Sequence, residues 1–285
     1  MVLLYLLLSS ACSLGVAHLL KRSEAEGLRT LNTLTVNYAS ASVFAFLVGF
    51  SESNGPINWL PDQYVLFFCG IIGLFFISNF IAYSKSVHAN GIGVTIAAMR
   101  LSLLIPVLLS IMVYDETMSG TKISGVVLVF GALFLLVPHT KTIRIGNFYA
   151  SWLLPTVFIL TGLADSSLKI YNEELSTVFS ETIFMAWVFL CAFIIGLVVV
   201  LMRKGTLVSR DEVKMGMLIG LPNLYSAVFL MYALDGMAGA IAFPVVNVIN
   251  VLGGTFLGLF LWNDRVSVKQ WSGICVALVA IWILI

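Results

Sequence analysis

Ten apolar runs, each long enough to cross a lipid bilayer, constrain this chain more than any other feature. They lie near residues 2–20, 30–50, 63–84, 91–113, 120–138, 148–168, 177–202, 213–235, 238–262 and 267–285. Polar, Gly or Pro clusters divide them, such as Ser51-Glu52-Ser53-Asn54-Gly55-Pro56 and Tyr114-Asp115-Glu116. A hydrocarbon core takes roughly 20 residues of helix to span. Backbone inside it must satisfy its own hydrogen bonds, so each run is predicted to be a helix rather than an open strand. The alternating segments of about ten residues that mark outer-membrane barrels are absent. Only 10% of the 285 residues are charged, against about 25% in soluble domains, so the chain cannot cover a water-facing surface of its own size. The expected class is an all-α integral membrane protein with short loops. No length remains for a separate soluble catalytic or nucleic-acid-binding domain.

The formal net charge of +1 points to no nucleic-acid partner. Cys12, Cys69, Cys191 and Cys275 all sit inside apolar runs without metal-ligand spacing, so they read as small core residues and no metal is expected. Leu8-Ser9-Ser10-Ala11-Cys12 has a weak likeness to a lipoprotein cleavage site. No Lys or Arg precedes it and the apolar run continues to Leu20, so this segment is expected to stay as a helix. HExxH, GxSxG and GxxxxGK[ST] do not occur. Neither an enzyme, a cofactor nor an ATP-driven pump is expected.

Loop charges set the expected orientation. The odd-to-even connections hold twelve of the fifteen Lys and Arg residues, the other side holds Lys122 and Lys169, and Arg100 lies inside the fourth run. The positive-inside rule then puts the odd-to-even loops in the cytoplasm and both termini outside, in an inner or plasma membrane.

Self-comparison uncovers a repeat. A shift of 147 aligns Gly15 with Gly162, Ala17 with Ala164, Thr30 with Thr177, Thr35 with Thr182, Ala45 with Ala192, Phe46 with Phe193, Gly49 with Gly196 and Gly73 with Gly220. Tyr83 meets Tyr232 at a shift of 149, and Glu116 meets Asp264 and Gly125 meets Gly273 at 148. Residues 1–142 and 143–285 therefore read as two five-helix repeats. Five is odd, so the second copy enters the membrane from the opposite side. The charges agree: the loop with Lys21, Arg22 and Arg29 has a counterpart with Lys169 beside Glu173 and Glu174. Inverted halves are the usual basis of alternating access in secondary transporters.

Ile81-Ala82-Tyr83-Ser84 through Pro106 to Glu116, Gly125 and Gly131, repeated from Met231-Tyr232-Ala233-Leu234 through Asp264 to Gly273, resembles the EamA-type repeat of the drug/metabolite transporter superfamily. The resemblance covers essentially the whole chain. It implies a ten-helix carrier for small metabolites with a central cavity between its halves, and it names no substrate. Asp264 stands where the family usually has Glu, and Pro106 has Thr255 rather than Pro at its repeat counterpart.

Polar residues within the apolar runs are the candidate site. Arg100 falls about nine residues into its helix, roughly 14 Å deep at 1.5 Å per residue. A central Arg costs about 2.5–3.5 kcal/mol to insert and so faces a cavity or a partner. It would anchor a carboxylate or phosphate, or else pair with Asp165 or Glu181. Asn247 and Asn250, three apart on one helix face, and Asn223 beside Pro222 fall at similar depth. They would contact a zwitterionic cargo or join helices by hydrogen bonds. Asp165 is the candidate for proton coupling.

Tyr83 and Tyr232, with Asn37, Asn79, Trp187 and Tyr225, would line a path or pack helices. His18 and His88 are expected at solvated helix ends. Gly216–Gly220 and Gly254–Gly258 are small-xxx-small faces for packing within the bundle or for a homodimer. Pro106, Pro155, Pro222 and Pro244 should bend or unwind their helices.

The functional expectation is a secondary transporter for a small polar metabolite, with an amino acid or related carboxylate favoured. Its alternatives are a broad-specificity drug exporter and, in another class, a non-transporting scramblase or partner subunit.

Overall fold

A computed structural model describes residues 1–52, 60–136, 148–203, 208–261 and 267–285. Every regular element within these residues is helical: α1 (Val2–Ala25), α2 (Thr30–Glu52), α3 (Gln63–Asn90), α4 (Ile92–Leu101), α5 (Leu104–Met112), α6 (Gly120–Leu136), α7 (Phe148–Glu174), α8 (Glu181–Met202), α9 (Arg210–Leu234), α10 (Gly239–Leu261) and α11 (Val268–Leu284). Eight candidate spans are long and apolar enough to cross a membrane, one of them running through α4 and α5 from Val94 to Met112. The shorter α6 and α11 are also apolar. The ten predicted runs thus appear as ten helical units of an integral membrane protein. Asp264, the basic loop residues Lys141, Arg144, Lys204 and Arg265, the Gly55-Pro56 turn and the repeat boundary at 142–143 lie outside the described residues.

Polar residues start these helices by replacing hydrogen bonds that the first turn lacks. The Asp62 carboxylate accepts from the Tyr64 and Val65 N–H groups at the head of α3, and Ser180 caps α8. Ser209 with Glu212, and Ser267 with Gln270, form reciprocal capping boxes on α9 and α11. Between α3 and α4, Gly91 takes φ +89, in the range that favours glycine.

The four internal prolines act differently. Pro155, Pro222 and Pro244 sit inside continuous helices. At Pro106 the helix instead divides, and Ser102 and Leu103 form a turn between α4 and α5. Pro106 cannot donate to the Ser102 carbonyl four residues earlier, and its ring crowds that same group. The Ser102 hydroxyl meanwhile donates to the Met99 carbonyl at 2.5 Å.

Packing centres on α2, α7, α8, α9 and α10. Helix α2 lies against α8 and α9, α1 against α9 and α10, α3 against α7 and α8, and α6 pairs with α11. Small residues permit the closest approaches. A Cβ on Gly73 would lie 2.7 Å from the Ala192 nitrogen, and one on Gly216 would lie 2.7 Å from the Thr33 carbonyl. The Gly216–Gly220 face therefore packs on α2 inside the bundle, and Gly254 faces Leu14 of α1. Large apolar side chains such as Phe50, Phe134 and Trp282 point outward, as a lipid-facing surface requires.

Candidate functional site: a polar cavity at mid-bundle

The interrupted helix brings Arg100 to the last turn of α4, beside a cavity of about 260 Å³. Helices α1, α2, α3, α4, α7, α8, α9 and α10 all contribute to its walls. The polar wall holds Arg100, Asp165, Asn223, Asn247 and Asn250, with hydroxyls from Ser9, Ser13, Thr161 and Ser226. This volume is close to the lower end of ligand pockets, roughly 300–1,000 Å³.

Arg100 Nη1 donates to Asn247 Oδ1 at 3.1 Å. Its Nε is buried and has no hydrogen-bond partner among the described residues, and the same holds for Asn250 Oδ1. Asp165 lines the same cavity, yet no ion pair within 4 Å joins it to Arg100 among the described residues. A cation, a carboxyl group and unfilled amide valence thus share one cavity. Burying such groups unpaired is costly, so the arrangement suits a small ligand carrying complementary charge.

The neighbouring hydrogen bonds hold the walls. Asn223 Nδ2 donates to Asn37 Oδ1 at 3.3 Å, and Thr161 Oγ1 donates to Asn79 Oδ1 at 3.0 Å. The Ser9 hydroxyl donates to the Ser226 carbonyl at 2.7 Å. Asn247 Nδ2 donates to the Phe243 carbonyl within its own helix. Part of the cavity wall is aromatic: Tyr38 stacks on Phe76 and Phe189 with ring centroids 6.3 and 5.8 Å away, and Phe243 also lines it.

Four predicted contacts, Arg100, Asn223, Asn247 and Asn250, meet around this cavity together with Asp165. Tyr83 and Tyr232 are not among its lining residues. Tyr232 packs against Tyr5 at 5.4 Å, Tyr225 against Phe229, and Trp187 meets Phe46 edge-on. Sequence reasoning missed the wall residues Ser9, Ser13, Tyr38, Phe76 and Thr161, which are ordinary residues of apolar helices. Only their separation by about one helical turn from polar neighbours could have marked them.

A second polar cluster, one turn from Asp165, ties two of the cavity helices, α7 and α10, to the corner after α5. Lys169, whose side chain is 2% exposed, pairs with Glu116 at 2.7 Å and with Glu173. Both Glu116 oxygens also accept N–H groups at the head of α10, from Gly239 at 2.8 Å and Ala240 at 2.9 Å. Burial pushes the Glu116 carboxyl up, but the Ala240 and Gly239 N–H groups and the Lys169 ammonium outweigh it and leave its pKa below the usual 4.5. At the other end of the bundle, Arg29 at the head of α2 pairs with Glu212 at the head of α9, at 2.7 Å.

Among the described residues no group of three or more His, Cys, Asp and Glu could hold a metal ion. No family model matches the chain. It is 28% identical over 284 residues to an uncharacterized protein of Haemophilus influenzae, a match covering 98% of this chain and 96% of that one. A protein of known crystal structure shares its fold, with a TM-score of 0.77 over 98% of this chain and 97% of that chain at 11% identity.

Proposed function

We propose that the protein is a secondary transporter of small polar metabolites, and that an amino acid or related carboxylate is its cargo. The observation that carries this reading is Arg100, a mid-bundle guanidinium with an unpartnered Nε in a cavity shared with Asp165 and the Asn247 and Asn250 amides. A guanidinium binds carboxylates in a planar, bidentate manner, and Asp165 faces it as a site for a cargo ammonium or a coupling proton.

The reading includes two inverted five-helix repeats, residues 1–142 and 143–285, of the kind the EamA resemblance implies. Several features support it. Arg100 on α4 and Asn247 on α10, the counterpart helix under the repeat, hydrogen-bond to each other in the cavity. The contacts follow the same correspondence: α1 packs on α9 as α7 packs on α3, and α2 packs on α8, its own counterpart. Discontinuous helices near the midplane are a recurring feature of transporter sites, and α4–α5 is one. On this reading the basic end faces the cytoplasm, both termini are extracytoplasmic, and the chain has no enzymatic activity.

The aromatic wall of Tyr38, Phe76 and Phe189 favours a second reading, a broad-specificity exporter of apolar drugs. Counterflow uptake in liposomes against a pooled metabolite library, with Arg100→Ala alongside, separates the two. Saturable uptake of a carboxylated compound, lost in Arg100→Ala, is the expected result. Uptake that survives the substitution moves the function to the exporter reading, and no flux through folded protein favours a scramblase or partner subunit.

A further inference from the structure

A larger cavity, about 380 Å³, opens at the basic end of the bundle between α2, α3 and α8. None of its lining residues belongs to the mid-bundle cavity, so it is a separate feature that the transport reading leaves unused. Three cations line it: Arg29, Lys85 and Arg203. Arg29 is neutralised by Glu212, which also accepts from Asn32 Nδ2 at 3.2 Å. Lys85 and Arg203 have no carboxylate within ion-pair distance among the described residues, so the cavity holds a net positive charge. Ser84 and Thr30 add hydroxyls at the same level.

The rest of the wall is apolar, from Leu31, Phe80, Ile81 and Val200. Next to Val200 and Arg203 along α8, Val198, Leu201 and Met202 are exposed. A cavity lined by cations and apolar side chains, with exposed apolar residues beside it on α8, is amphipathic in the same sense as a phospholipid. Basic cavities between membrane helices bind anionic headgroups, and Arg in particular pairs with phosphate through two parallel hydrogen bonds.

We propose that this cavity binds a phosphate-bearing headgroup of the surrounding bilayer, with Lys85 and Arg203 contacting the phosphate and Phe80 and Val200 contacting the glycerol and upper acyl chain. The site does not depend on the cargo or on transport. It requires only the cation pair over an apolar cleft.

The test is thermal unfolding of the purified protein in neutral detergent, with phosphatidylglycerol, phosphatidylcholine or inorganic phosphate added separately. Phosphatidylglycerol should raise the melting temperature by about 3 °C and phosphatidylcholine by clearly less. The shift should fall to less than half in Lys85→Gln/Arg203→Gln. Both side chains are exposed, so this variant keeps its fold. Lys214, which is 74% exposed and pairs with Asp211, supplies a control for general surface charge. Lys214→Gln should leave the shift intact, and Arg203→Lys should retain most of it. A shift with inorganic phosphate that equals the lipid's and needs the same two cations would overturn the lipid source in favour of a free anion. Equal lipid shifts in wild type and double variant, equal loss in Lys214→Gln, or no lipid shift at all would overturn the site.

Discussion

Arg100 and Asn247 concentrate the chemistry of the cavity in one hydrogen bond. Arg100→Lys keeps the charge but loses the planar fork, so counterflow of a carboxylated cargo should fall about tenfold or more, the equivalent of about 1.4 kcal/mol. Arg100→Ala should abolish it. A double-mutant cycle for stability with Asn247→Ala should return a coupling of about 1.5–3 kcal/mol, the range for hydrogen bonds to charged groups; a coupling near zero would separate the two residues. Arg100, Asn223, Asn247 and Asn250 were legible because a polar residue in hydrocarbon needs a reason to be there. Tyr83 and Tyr232 were not distinguishable from packing residues. An aromatic ring in an apolar helix satisfies a core as readily as a cavity, and only the three-dimensional contacts place Tyr232 on Tyr5. The wall hydroxyls escaped for a related reason, since Ser and Thr can bond to their own helix carbonyls.

At the scale of elements, the Glu116–Lys169–Glu173 cluster fastens the corner after α5 to α7 and to the head of α10. Its components are 53 positions apart in sequence, and neither Glu116 nor Lys169 carries a local signal for the other. Glu116 has a pKa held below its usual value, so its ionised form is favoured in the fold. Its stabilisation is complete at neutral pH and is lost as pH falls from its usual 4.5 through the lowered folded value. Glu116→Gln should therefore lower the melting temperature at pH 7 and flatten the acid limb of the stability profile. Lys169→Met leaves two carboxylates facing each other near a buried site and should destabilise by about 3 kcal/mol, read as a lower melting temperature. Gly216→Ile drives a branched side chain into Val36 and the Thr33 carbonyl. It should cost about 1–3 kcal/mol by forcing α9 away from α2.

Across the whole molecule, the ten helical units, eight of them long and apolar enough to cross a membrane, were legible because hydrocarbon permits so few backbone solutions. Segment length and apolarity alone sufficed, and the short polar connections located the ends. The division of the fourth segment was only half legible. Pro106 announces a disturbance, but the same residue type at Pro155, Pro222 and Pro244 leaves continuous helices, so the outcome rests on neighbouring packing. Which helices touch was also beyond composition. The pairing of α2 with α9 and of α3 with α8 depends on Gly216 and Gly220 in the first case and Gly73 in the second meeting backbone at close range, a property of register rather than of residue type.

The turn at Ser102–Leu103 also divides mechanical responsibility. On one side of it, α5 is packed on α7 and α10, whose ends the Glu116 cluster clamps. On the other, α4 is a ten-residue rod seated on α3 and α7, with the guanidinium close to the joint. The joint thus separates two independently anchored segments, and re-aiming the positive charge requires α4 to slip on α3 and α7 as well as two backbone units to turn.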